Sequence, residues 1–112
     1  MEVATDQYNK TTEVNFRTSI GRSYYSSFLE ARERVQNKIR RKIRVRGAEI
    51  HSAVIDELKS MNLNNIADKL IELKRFRTKS DYRIEETITK QDACNAITLA
   101  TDIYSLLVRE LP

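Results

Sequence analysis

From Phe16 to Val35 the apolar positions recur at steps of three and four: Phe16, Ile20, Tyr24, Phe28, Ala31, Val35. That period places them on one face of an α-helix and predicts a long amphipathic segment. Thr11 or Thr12 is a suitable cap for it, with Glu13 in the first turn. Residues 1–11 are polar, and are read as frayed or as one short helix. The pattern fades in the basic run that follows, and Gly47 marks a break. A second helix fits Ala48 to Leu58, with Ile50, Val54, Ile55 and Leu58 inward. A polar turn, Met61-Asn-Leu-Asn-Asn, precedes a third helix carrying Ile66, Leu70 and Leu73 and reaching about Tyr82. Residues 83–89 read as a loop. Thr89 with Asp92 three residues on predicts a capping box, with Asp in place of the usual Glu. The last helix then shows Ala93, Ala96, Ile97, Ala100, Ile103, Tyr104 and Leu107 inward. Two glycines and a single proline, at the last position, leave few places to break these helices. The expectation is an all-α fold, an antiparallel up-and-down bundle of four to five helices, with residues 1–112 as a single domain.

Composition narrows the class. With 40% hydrophobic and 32% charged residues the chain is globular rather than disordered. Cys94 is the only cysteine, so no intramolecular disulfide can form and a reducing compartment suits it. No signal-like stretch and no apolar run of membrane length is visible, so a cytoplasmic location without membrane contact is expected. There is no phosphate-binding Gly-rich loop and no Cys/His spacing for a metal, so neither cofactor nor metal is expected.

The charge is local. Residues 32–46 hold eight basic side chains and one acid, a charge of +7, while the whole chain carries +4. Arg40, Arg41 and Arg44 in this run are candidate phosphate contacts for RNA. The run has no interleaved aromatics, so by itself it offers no stacking platform for bases.

Other polar residues sit awkwardly on apolar faces. Arg77 continues the Ile66, Leu70, Leu73 stripe, which is costly unless a partner meets it. Asp81, one turn on, supplies one, and Tyr82 adds an aromatic beside it. The arrangement is either a structural ion pair or a fixed guanidinium for a phosphate. Arg22 precedes the adjacent Tyr24 and Tyr25, which point about 100° apart, so at most one of them is central to the core. Arg22 is either an interhelical contact or a second cation converging on Arg77. His51, the only histidine, follows Arg46 by five positions and is read as a helix-surface residue. An Arg/His pair can support RNA cleavage by general acid–base chemistry, which makes Arg46 and His51 the candidate catalytic pair.

Three stretches together resemble the HEPN domain family. Phe16-Arg-Thr-Ser-Ile-Gly-Arg-Ser-Tyr-Tyr-Ser-Ser-Phe-Leu-Glu-Ala-Arg32 is similar to the signature with a small residue and Arg before Tyr-Tyr. His51-Ser-Ala-Val-Ile resembles the His-x-x-Val segment, and Leu73-Lys-Arg-Phe-Arg-Thr-Lys-Ser-Asp-Tyr82 the Asp-Tyr element. The similarity runs from about Asn15 to Leu111. It implies a helical bundle, a homodimer, and a role with RNA or nucleotides in a toxin–antitoxin or defence module, often beside a nucleotidyltransferase partner protein. It also implies that Arg77 is the arginine of the family's Arg-x4–6-His element. The two positions at which that family usually carries histidine are Leu29 and Tyr82 here, so the resemblance does not carry nuclease chemistry with it. Two other function classes are a protein–protein adaptor without a nucleic-acid role, and a metal-independent endoribonuclease using His51.

Overall fold

The computed structural model describes the backbone of residues 2–47, 49–82 and 87–112, and the side chains of residues 12–47, 49–81 and 87–112. Among the described residues four helices form a bundle: α1 (Glu2–Ile39), α2 (Glu49–Ser60), α3 (Asn64–Tyr82) and α4 (Lys90–Glu110). No strand occurs among the described residues. None of the helices is long and apolar enough to cross a membrane.

Of the expected first stripe, Ile20, Tyr24, Phe28, Ala31 and Val35 enter the core, and Phe16 packs against it partly buried. Helix α1 nevertheless begins at Glu2, not at a cap on Thr11 or Thr12. No glycine or proline lies between residue 2 and Gly21, so nothing there stops the helix. It ends earlier than Gly47. Arg40 takes a left-handed backbone (φ 58°) and closes the helix after Ile39. Five of the eight basic side chains of the run, at 40, 41, 42, 44 and 46, therefore lie on a non-helical segment. It is anchored by Ile43, which is buried and whose N–H donates to Gln36 Oε1 at 3.0 Å.

The α2–α3 turn is a Schellman motif. Leu63 N–H donates to Leu58 O (2.9 Å), and Asn62, at φ 63°, donates to Lys59 O (3.0 Å). Asparagine tolerates that backbone better than most side chains. At the start of α4 the capping box is present: Thr89 N donates to Asp92 Oδ2 at 2.9 Å, and Asp92 N to Thr89 Oγ1 at 3.1 Å.

Contacts between helices set their directions. Glu13 accepts from Ile88 N at 2.9 Å, and Arg34 donates to Leu111 O at 2.7 Å, so α1 and α4 run the same way. Arg17 donates to Ser80 O and Arg77 to Tyr25, so α3 runs against α1. This departure from strict up-and-down alternation comes from segment 40–47. It returns along α1 without a helix and starts α2 beside Tyr24 and Phe28.

Helix α4 holds one further correction. Ala93, Ala96, Ile103 and Leu107 are buried, but Ile97 and Tyr104, expected inside, are 50% and 54% exposed. The apolar arc of α4 is wider than the contact α1 and α3 offer it. Ile97 and Tyr104 lie on its outer flank, in line with the exposed Val108.

Candidate functional site

The site is built where α1, α2 and α3 meet. Tyr24 and Tyr25 project from the middle of α1. Tyr24 is buried and Tyr25 is half exposed, as their 100° separation requires. Arg77 comes across from α3. Its guanidinium carbon lies 5.0 Å from the centroid of the Tyr24 ring and 4.6 Å from that of Tyr25. Both distances suit a cation–π contact. Nη2 donates to Tyr25 Oη at 2.7 Å, and Nε donates to Asp81 Oδ2 at 3.0 Å. Nη1 takes part in neither of these bonds. The Arg77 side chain keeps 21% of its surface exposed. The arginine is thus held by Tyr24, Tyr25 and Asp81 and stays partly exposed.

His51, expected on the surface, is buried. Phe28 stacks on it at 5.8 Å and Tyr24 tilts against it at 5.6 Å. Its Nδ1 lies 2.6 Å from Tyr24 Oη. In the tautomer protonated at Nε2, the phenol donates to Nδ1. Burial pushes the imidazole pKa down to about 4, helped by the positive charges of Lys74 and Arg77. Burial also raises the Tyr24 phenol, with the Arg77 charge acting the other way. The ring is therefore a neutral core group at pH 7.

The residues singled out in the sequence divide into three places. Tyr25, Arg77 and Asp81 come together as expected. Tyr82 ends α3, and its side chain lies outside the described ones. Arg22 does not converge on Arg77. Two residues of helical rotation put it on the other side of α1 from Tyr24. There it lines a groove of about 600 Å³ between α1 and α4, with Ser23, Ser26, Ile97 and Tyr104. Arg46 is exposed and makes no hydrogen bond or ion pair with buried His51. The catalytic pairing read from their spacing is not formed.

Arg40, Arg41 and Arg44 are exposed on the segment after α1. Arg41 is occupied, donating to Glu57 Oε1 at 2.6 Å. Two residues escaped the sequence reading. Lys74 stands one turn before Arg77, and the i, i+3 spacing was the available signal. Phe28 reads as plain core, but it also carries Arg32, whose guanidinium carbon lies 5.9 Å from the ring centroid. Among the described residues no group of three or more His, Cys, Asp or Glu side chains could hold a metal.

Comparison with protein-family models, with curated proteins and with solved structures yields no match.

Proposed function

We propose that this chain is a HEPN-like domain that binds RNA through Arg77 and does not cleave it. The observation that carries this reading is the posture of Arg77, bracketed by two tyrosine rings, fixed by hydrogen bonds to Tyr25 and Asp81, and still 21% exposed. Arginine held in one orientation loses little freedom when a phosphate arrives, and its fork matches phosphate oxygens. Lys74 adds a second charge nearby, as its effect on His51 indicates. The absence of cleavage follows from His51. A buried imidazole with a pKa of about 4, already bonded to Tyr24, is a weak base and is screened from substrate. The module-level role, in a toxin–antitoxin or defence system beside a nucleotidyltransferase, is the one the HEPN resemblance implies.

The test is titration of a fluorescent single-stranded RNA with the wild-type chain, Arg77→Lys and Arg77→Ala. Binding should fall with rising salt, survive in part in Arg77→Lys, and drop at least tenfold in Arg77→Ala. Wild-type chain that leaves the RNA free at low salt removes the reading.

A specific observation also favours a protein contact. Ile97, Tyr104 and Val108 form an exposed apolar line on α4, beside the groove that Arg22 borders. Two copies related by a two-fold axis would cover this line, which fits the homodimer that the resemblance implies. The adaptor alternative would cover the same line with a different protein.

A further inference from the structure

We infer that Arg77 is one end of a track for single-stranded RNA that runs along α1, over Arg32, to the basic segment at residues 40–46. The inference rests on the RNA-binding reading of Arg77 and extends it to a substrate form and to further contact residues.

A continuous series of ring contacts lies beneath the path. Arg77 sits over Tyr24 and Tyr25; Tyr24 stacks on Phe28 with centroids 6.0 Å apart; Arg32 sits over Phe28. One turn beyond Arg32, Gln36 holds the backbone of Ile43. From Tyr25 to Gln36 is eleven residues of helix, about 16 Å. In residues 32–46 the cations fall into two sets. Arg34 and Arg41 are neutralised by Glu30 (2.7 Å) and Glu57 (2.6 Å). Arg32, Lys38, Arg40, Lys42, Arg44 and Arg46 have no ion pair among the described residues, and all of these but Arg32 are exposed.

The segment that presents them is held in place. Ile43 is buried, its N–H is bonded to Gln36, and Arg41 ties it to α2. The charges are therefore offered on an ordered backbone at small entropic cost, which suits binding to backbone phosphates. The aromatic platform missing from the basic run is supplied by the fold. Tyr25 is half exposed beside Arg77, one face of its ring against the guanidinium. A base can stack only if it is unpaired, so the combination of phosphate row and open ring selects single-stranded over duplex RNA. At a stacked rise of roughly 3.4 Å per nucleotide, about 16 Å corresponds to about five nucleotides.

The experiment is fluorescence anisotropy with the full chain, using a labelled RNA dinucleotide, a decanucleotide and a ten-base-pair RNA duplex. The decanucleotide should bind at least tenfold more tightly than the dinucleotide and at least fivefold more tightly than the duplex. Arg44→Glu with Arg46→Glu, and separately Arg32→Ala, should each weaken decanucleotide binding at least fivefold. If Arg32→Ala disturbs the fold by circular dichroism, Arg32→Gln replaces it, and the exposed pair at 44 and 46 stands independently. Decanucleotide binding that depends on Arg77 but not on residues 32, 44 or 46 would overturn the track and leave the Arg77 reading intact. Equal or better binding of the duplex would overturn the single-strand preference. A wild-type chain that binds none of the three overturns both.

Discussion

Tyr24 and His51 are joined by a 2.6 Å hydrogen bond inside the core, 27 residues apart in sequence. This bond ties α2 to α1 over a ring that burial, helped by the charges of Lys74 and Arg77, keeps neutral. The consequence of that burial is a pH dependence of stability. The folded-state pKa of His51, about 4, lies below its ordinary value of 6.5. Above pH 6.5 neither state binds the proton and stability is complete. Between pH 6.5 and 4 the unfolded chain takes up a proton that the folded chain refuses, so stability falls as pH falls. The loss by pH 4 is on the order of 3 kcal/mol. Urea unfolding from pH 7.5 to 4 should show this slope, and His51→Gln should flatten it. Glu13, held below its usual range by the Ile88 N–H and then by Arg17, adds a further loss below its ordinary value of 4.5. An unchanged wild-type midpoint across the range would contradict the burial of His51.

Arg77 is expected to matter for stability as well as for binding. Arg77→Ala leaves Asp81 and the Tyr25 hydroxyl without their partner and opens the face of Tyr24. Because the site is partly exposed, the cost is expected at about 1–2 kcal/mol. Tyr25→Phe keeps the ring and removes only the oxygen, and should cost under about 1 kcal/mol. Equal midpoints for wild type and Arg77→Ala would show that the bracket contributes nothing to folding.

Catalysis is expected to be absent. Incubation of the purified chain with RNA at pH 7 and EDTA should give no cleavage above a blank, and His51→Ala should not change this. Cleavage that disappears in a folded His51→Ala variant would promote the endoribonuclease alternative.

Self-association is expected to depend on α4. Ile97→Asp with Tyr104→Asp should shift a homodimer to monomer in sedimentation velocity, while costing little stability, because both side chains are about half exposed. A wild-type chain that is monomeric at micromolar concentration would favour a different protein on this line.

Two local features give smaller, cleaner numbers. Thr89→Ala removes the hydroxyl that accepts from Asp92 N and should cost about 1 kcal/mol. Leu73→Ala, at a fully buried position, should cost about 2–5 kcal/mol in denaturant unfolding.

Periodicity alone determined the helical class, the inward stripes of α1 and α3, the α4 capping box and the Arg77–Asp81 pair. These depend on residues within a turn or two of each other, where spacing and geometry are nearly the same thing. Other outcomes were decided by elements distant in sequence. Ile97 and Tyr104 belong to the apolar arc of α4, but which part of an arc is covered depends on the width of the neighbouring helices. His51 reads as a surface residue because of its polarity, although it precedes the inward Val54, Ile55 and Leu58 by three, four and seven residues. That Tyr24 and Phe28 are the groups closing over it only the tertiary structure shows. The basic run read as a helix end. Only the backbone reversal at Arg40 and the hydrogen bond from Ile43 to Gln36 fold it back along α1. Arg46 and His51 keep the spacing of a catalytic pair, yet burial of one and exposure of the other separate them. Local sequence chose the helices, whereas the long-range packing of α2 against α1 decided which charged groups face solvent.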